Sequence, residues 1–275
     1  MAVSLLIFSD LDGTLLDSET YRFDPVVPVL KSLKEKGLPL VMCSSKTRFE
    51  MEVWRERLGL NNPFIVENGS AIVFPGAWRI VPNEPLRVVG DMRVLELGLP
   101  HEDILAGLED VSREAGIKVK GLSTMTLREI MERTGLSGEE AERAKEREYS
   151  EPFVVQGEAT SEGMNRFLHL IQQKGMTYTR GGRFHHVMGA TDKGKAVRVL
   201  TEAIRRHRHG LRTVALGDSP NDISMLRAVD IPILVQRPDG TYADLPPEIK
   251  CYHAPGVGPK GWAAAVLMLL EGKDL

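Results

Sequence analysis

LLIFSDLDGTLLD, residues 5–17, opens on four apolar residues, Leu5 to Phe8, and passes through Ser9 into Asp10, Asp12 and Gly13. A stretch that is apolar at every position, rather than at alternate ones, reads as a strand covered on both faces. That is the pattern of a parallel sheet between helix layers. Open α/β sheets bind ligands beyond the carboxyl ends of their strands. Asp10 falls at such an end. Gly13 lets the chain turn, so that Asp12 swings back toward whatever Asp10 holds.

Outward from this stretch the same signal recurs at 38–43, 63–67, 212–217 and 231–236. Helical patterns lie between them. Residues 25–37 end in Gly37, a suitable residue just past a helix terminus. Residues 47–60 place Phe49, Val53, Trp54 and Leu58 on one face, and 192–207, 221–229 and 260–272 are helical as well. Strands alternating with helices predict an α/β fold with a doubly wound parallel sheet. The middle of the chain departs from this. Helical patterns at 102–116, 137–150 and 161–175 are interleaved with strand patterns at 151–157 and 176–189, the latter a hairpin around Gly181-Gly182. The expected organisation is a core (1–84 and 188–275) interrupted by an inserted α+β domain (85–187).

Bulk composition narrows the function. The 275 residues are 42% hydrophobic and 27% charged, with a net charge of −3, so no basic field invites nucleic acid. The one basic run, RRHRHG at 205–210, reads as a solvated helix end. Two cysteines give no disulfide framework and no Cys/His metal spacing. No apolar stretch approaches the roughly 18–20 residues of a membrane span. The amino terminus enters the first strand pattern without a basic, cleavable leader. A cytoplasmic protein with a small-molecule partner is the expectation.

Several chemistry-bearing groups converge on one sheet edge. Asp10 ends the first strand, Ser44 and Ser45 end the second, and Asp218 ends the strand at 212–217 with Asn221 and Asp222 just beyond. Lys193 opens the helix that follows the insertion. Carboxylates gathered this closely repel one another, and a hard divalent cation such as Mg2+ lets them stay ionised. A cation beside an ammonium and a hydroxyl grips phosphate. An aspartate there can act as nucleophile, and a second one as general acid and base.

DLDGTLLD with GDSPND, a serine after the second apolar strand and a lysine between them resembles the haloacid dehalogenase superfamily of aspartate-dependent phosphotransferases. The motifs occur in the family's order over the whole chain. The insertion lies between serine and lysine, where the type IIB branch carries its larger α/β cap. The resemblance implies Asp10 as nucleophile and Mg2+ ligand, and Asp12 as general acid and then base, its backbone carbonyl also on the metal. It implies Ser44 on the transferring phosphoryl group and Lys193 offsetting charge. Asp218 and Asp222 would be metal ligands, with Asn221 orienting phosphate or Lys193. Threonine is frequent at the family's second position; here the hydroxyl is that of Ser44.

SSKTR (44–48), ENGSAIVFP (67–75), REYSEPF (147–153) and GGRFHHVMG (181–189) narrow the match to phosphatases of phosphorylated sugar–glycerates. On that match Ser45 and Lys46 contact substrate. Glu67, Asn68 and Gly69 either reach sugar hydroxyls or form a tight turn. Arg147 either reads a carboxylate bidentately or makes an ion pair inside the cap. Arg183 and His185 share a face if their strand is regular, beside a candidate anion nest at Gly181-Gly182; otherwise they are ordinary exposed residues. Rival readings are a phosphatase for sucrose phosphate or a hexose phosphate, a sugar phosphomutase, and a phospho-accepting signalling module.

Overall fold

A computed structural model describes residues 4–180 and 183–273; the expected nest at Gly181-Gly182 lies outside the described residues. Strands in chain order are β1 (Ser4–Ser9), β2 (Leu40–Cys43), β3 (Phe64–Val66), β4 (Ala71–Phe74), β5 (Arg87–Val89), β6 (Met92–Glu96), β7 (Val119–Gly121), β8 (Ser150–Val155), β9 (Met176–Arg180), β10 (His185–Gly189), β11 (Leu211–Gly217), β12 (Ile231–Gln236) and β13 (Tyr252–Val257). Nine of them form one sheet in the order β13-β12-β11-β1-β2-β3-β4-β6-β5. From β13 to β3 every pairing is parallel. The uniformly apolar runs therefore do what their composition requires. Leu5 and Ile7 face one core cluster, and Leu6 and Phe8 face the other. Leu40 and Met42 alternate with Val41 and Cys43 in the same way.

The strand order reverses at β1, which lies between β2 and β11. Such a reversal opens a crevice at the carboxyl ends of the strands flanking it. The two acidic motifs follow β1 and β11, so the topology itself delivers Asp10 and Asp218 to that crevice.

Residues 85–96 differ from expectation. They do not begin the insert; β6 extends the large sheet by pairing antiparallel with β4, and β5 pairs antiparallel with β6 at the edge. Met92 and Val94 fill one side of the core and Leu95 the other. The Pro- and Asn-containing stretch before them is a loop within the core, and its composition mimics a domain boundary. The insert starts at helix His101–Ala115 and ends with β10. It is a four-stranded antiparallel sheet, β7-β8-β10-β9. Helices His101–Ala115 and Ser161–Gln173 cover one face. Helices Leu127–Thr134 and Gly138–Lys145 lie with Phe184 on the other. The sequence pattern did not separate the helix Leu127–Thr134 or β7.

Helix Arg48–Arg57 starts with a reciprocal cap. Thr47 Oγ accepts from the Glu50 N–H at 3.1 Å, and Glu50 accepts from the Thr47 N–H at 2.8 Å. Its buried face is Met51, Trp54 and, just past its end, Leu58. Phe49, expected on that face, is only half-buried and lies 4.2 Å beneath the Arg48 guanidinium. No described helix is long and apolar enough to cross a membrane.

Candidate active site

Asp10 leaves β1 with its backbone N–H bonded to the Leu216 carbonyl at 2.9 Å, which locks it to the end of β11. Lys193 is the first residue of helix Lys193–Arg205. Its buried ammonium donates to Asp10 Oδ1 at 2.6 Å and to Asp222 Oδ1 at 2.7 Å. Burial opposes the lysine's charge, but the two carboxylates outweigh it and hold its pKa above the ordinary value. The other oxygen of Asp222 accepts the N–H groups of Asp218 and Ser219, each at 3.1 Å. Asp222 therefore shapes the Asp218 turn and clamps Lys193 at once.

Thr14 and Gly13 explain the rest of the first motif. The Thr14 hydroxyl donates to Asp218 Oδ1 at 2.9 Å. Gly13 has φ +84°, and a Cβ there would come within 2.9 Å of Asp218 Oδ2. Glycine is required both by conformation and by the closeness of the acid. Thr14 and Gly13 thus tie the β1 loop to the β11 loop, a role for Thr14 that the sequence reading missed although DGT was in view.

Asp10, Asp218 and Asp222 each offer a carboxylate oxygen within 4.8 Å of the others. Burial raises the Asp10 pKa well above the ordinary carboxylate value, and the Asp222 charge adds to it, against the pull of Lys193. Burial and then Asp222 push Asp218 up to about 7. One ammonium does not satisfy three crowded acids. An all-oxygen donor set with surplus negative charge fits a hard divalent cation. The donor set suits such an ion; the Asp12 carboxylate is not among these three oxygens, and its expected contact is through the backbone carbonyl.

A pH dependence follows. In chelator-treated protein, Asp218 holds its proton up to about pH 7 when folded, but releases it near 3.9 when unfolded. Between these values the native state binds more protons, so stability falls as pH rises from about 4 to about 7 and then levels. Adding Mg2+ should raise Tm more at pH 8 than at pH 5. Thermal melts with and without chelator at both values check this; an equal or reversed increment would contradict it.

Asp12 pairs with Lys46, Nζ to Oδ2 at 2.9 Å, and its Oδ1 is buried without a hydrogen-bond partner among the described residues. Glu50 lies 3.8 Å from the same ammonium. Burial works against the charge on Lys46, yet these acids hold its pKa above the ordinary value. Ser44 is buried, and its hydroxyl accepts the Lys46 N–H at 3.3 Å.

A cavity of about 420 Å3 separates core from insert. Asp12, Ser45, Lys46, Arg147, Arg183 and Asp218 are among its walls. Arg183 is exposed and reaches the Tyr21 hydroxyl at 3.4 Å. Arg147 donates to the Ser45 carbonyl at 2.7 Å and lies 3.8 Å from Glu67, so it ties insert to core.

Other expected contacts are placed elsewhere. Glu67 is fully buried, and its oxygens accept from the Glu148 and Tyr149 N–H groups and the Ser150 hydroxyl at 2.9, 3.2 and 2.6 Å. It fastens the insert to the core and faces no sugar in this arrangement. Gly69, at φ +94°, lets the Asp192 carbonyl approach; a Cβ would meet it at 2.1 Å. Asn68 accepts from Asn221 Nδ2 at 3.1 Å, and both border a separate crevice beside Lys193. His185 does not line the cavity: it is stacked on Phe153 and bonded to the Tyr178 hydroxyl at 2.5 Å. Its neighbour His186 lines it instead, together with Phe184.

Comparison with known proteins agrees with this geometry. The profile of the haloacid dehalogenase-like hydrolases matches residues 7–239. A glucosyl-3-phosphoglycerate/mannosyl-3-phosphoglycerate phosphatase of Methanococcoides burtonii is 44% identical over 271 residues, covering 98% of each chain. A mannosyl-3-phosphoglycerate phosphatase of Pyrococcus furiosus is 40% identical over 232 residues, 84% of this chain and 90% of that one. In fold, the chain is similar to a solved subclass IIB sugar phosphatase at TM-score 0.62, with 19% identity over 98% of this chain and 99% of that one.

Proposed function

The chain belongs to the haloacid dehalogenase-like hydrolase family, and from that membership we propose that it removes the phosphate from mannosyl-3-phosphoglycerate to release mannosylglycerate, a compatible solute. The observation that carries the chemistry is the Asp10 carboxylate, held by Lys193 at 2.6 Å amid Asp218 and Asp222 at the strand-order reversal. The substrate assignment draws on the relatives that carry this activity in their names. The name of the Methanococcoides enzyme also covers the glucosyl compound, which makes glucosyl-3-phosphoglycerate the second reading.

In the proposed reaction an Asp10 oxygen attacks phosphorus in line, and the bond from phosphorus to the glyceryl oxygen breaks. Asp12 gives its proton to that oxygen. Asp12 then takes a proton from water, the water oxygen bonds to phosphorus, and the phosphorus–Asp10 bond breaks, returning the carboxylate. Lys193 opposes protonation of Asp10 and orients it, and Ser44 donates to the phosphoryl oxygens. Asp10 and Asp218, with Asp222 directly or through water, would hold Mg2+, which supplies positive charge to the phosphoryl group. The insert roofs the cavity and excludes water from the acyl phosphate. The free Cys43 and Cys251 fit a reducing, cytoplasmic setting.

A substrate panel tests the assignment. Phosphate release from mannosyl-3-phosphoglycerate, glucosyl-3-phosphoglycerate, sucrose phosphate and a hexose phosphate is measured with Mg2+ and with chelator. We expect kcat/KM at least about 10-fold higher for a phosphoglycerate than for the other two, the scale of discrimination that a few lost polar contacts provide. Chelator should remove turnover. A hexose phosphate as the preferred substrate would overturn the assignment, and metal-independent turnover would overturn the metal's place in it.

A further inference from the structure

Two polar side chains on the roof of the reaction cavity lack the partners that burial demands. His186 is only 6% exposed, its Nδ1 is buried, and neither ring nitrogen has a partner among the described residues. Arg147 is equally enclosed, with a side chain 6% exposed. One terminal nitrogen is spent on the Ser45 carbonyl, and its Nε has no partner. Buried polar groups are almost always hydrogen-bonded, and leaving one unpaired is costly. Both residues line the cavity, and the nitrogens that are not fully buried there, His186 Nε2 and the second Arg147 Nη, have no partner among the described residues, so a partner can reach them from the cavity. The facing acid of the joint, Glu67, is 3.8 Å from Arg147 but already bonded to residues 148–150.

We propose that His186 is a specificity residue that, together with Arg147, hydrogen-bonds the carboxylate end of the substrate's glyceryl group, an inference that rests on the sugar–glycerate reading above. The glyceryl carboxylate is a second anion, close to the phosphate through the three-carbon chain but chemically separate from it. Arg147 supplies one positive charge for that one negative charge. His186 supplies a neutral donor beside it: burial, then the adjacent guanidinium, push its pKa down to about 3. A neutral ring adds a hydrogen bond without a second cation to desolvate. The neighbouring His185 is already stacked and bonded inside the insert, so the paired histidines divide between structure and recognition. Phe184 precedes His186 by two residues and shares the cavity wall, which fixes the face on which the ring stands.

His186→Phe keeps a ring in place and removes both nitrogens. His186→Gln returns an amide near the position of Nε2. Each is assayed on mannosyl-3-phosphoglycerate and on p-nitrophenyl phosphate, an ester with neither carboxylate nor sugar, with Tm recorded for each protein. We expect His186→Phe to raise KM for the sugar–glycerate about 10- to 100-fold, with a fall in kcat/KM at least about 10-fold larger than on the simple ester. Gln should recover part of the difference. Equal losses on the two esters, or no loss on the sugar–glycerate, overturn the inference while leaving the parent reading intact. A wild-type enzyme that hydrolyses p-nitrophenyl phosphate but neither sugar–glycerate overturns both. If His186→Phe does not fold, the same ratio measured on His186→Leu decides the matter.

Discussion

Asp10→Asn should lower kcat by about 10^4-fold or more while the protein remains folded, the scale seen when a covalent nucleophile is removed. The amide has nearly the shape of the carboxylate and keeps an oxygen to accept from Lys193 Nζ, now 2.6 Å away. It has no lone pair of comparable basicity to attack phosphorus. Stability separates this from damage to the fold. Asp10 is crowded by burial and by Asp222, both of which disfavour its charge. Removing that charge relieves repulsion, and Asp222 keeps its own bond to Lys193 at 2.7 Å. In chelator, the Tm of the variant should equal or exceed that of the wild type. Rapid acid quenching of wild type with labelled substrate should trap phosphate on the protein, and the variant should carry none. A variant that retained more than about one-hundredth of wild-type turnover, or that trapped label as the wild type does, would place the nucleophile elsewhere.

How much of this site was legible beforehand depends on where each contact is encoded. Asp10, Lys193, Asp218 and Asp222 were legible because each stands at the end or start of an element whose apolar pattern is unambiguous, and the sheet topology does the gathering. The insert was legible as a change of pattern, but its first edge was not. β5 and β6 are short strands at the end of the sheet, with β5 its edge, behind a Pro- and Asn-containing loop, and such short pairing leaves little periodic signal. The histidine on the cavity wall was assigned by counting alternate residues from Arg183. The strand starts only at His185, so Arg183 reaches the cavity from the loop while Phe184 and His186 set the parity. Glu67 offered no local clue at all. Its partners are two backbone N–H groups and the Ser150 hydroxyl, all more than eighty residues away, on a segment whose position only the folded insert defines. Local pattern thus reports elements and their ends, whereas contacts across the joint between core and insert depend on how two separately folded surfaces meet.

Lys193→Met should produce the largest loss of stability together with a large loss of rate. The side chain is fully buried and is the only described cation bonded to both Asp10 and Asp222. Methionine fills much of the same volume, so the cost is electrostatic. Removing one partner from a buried ion pair leaves an uncompensated charge, at about 3–5 kcal/mol. That corresponds to a fall in Tm of roughly 10 °C for a chain of this size. The loss has a definite pH signature. Without the ammonium, the Asp10 pKa rises further, because burial and Asp222 already raise it and Lys193 is what opposes them. The folded variant then binds protons that the unfolded chain releases, so its deficit is small near pH 4 and grows as pH increases. Catalysis must follow the same shift. Asp10 has to be ionised to attack, so the acid limb of the kcat/KM profile should move to higher pH. At pH 7, kcat should fall about 10^2- to 10^3-fold, the scale associated with losing one preorganised charge-stabilising group. Lys193→Arg keeps the charge but not the compact ammonium geometry that reaches two acids at 2.6 and 2.7 Å. It should recover stability better than rate. A methionine variant with unchanged Tm at pH 8 and an unshifted acid limb would mean that Lys193 does not hold these carboxylates in solution, and the electrostatic account of the site would fail with it.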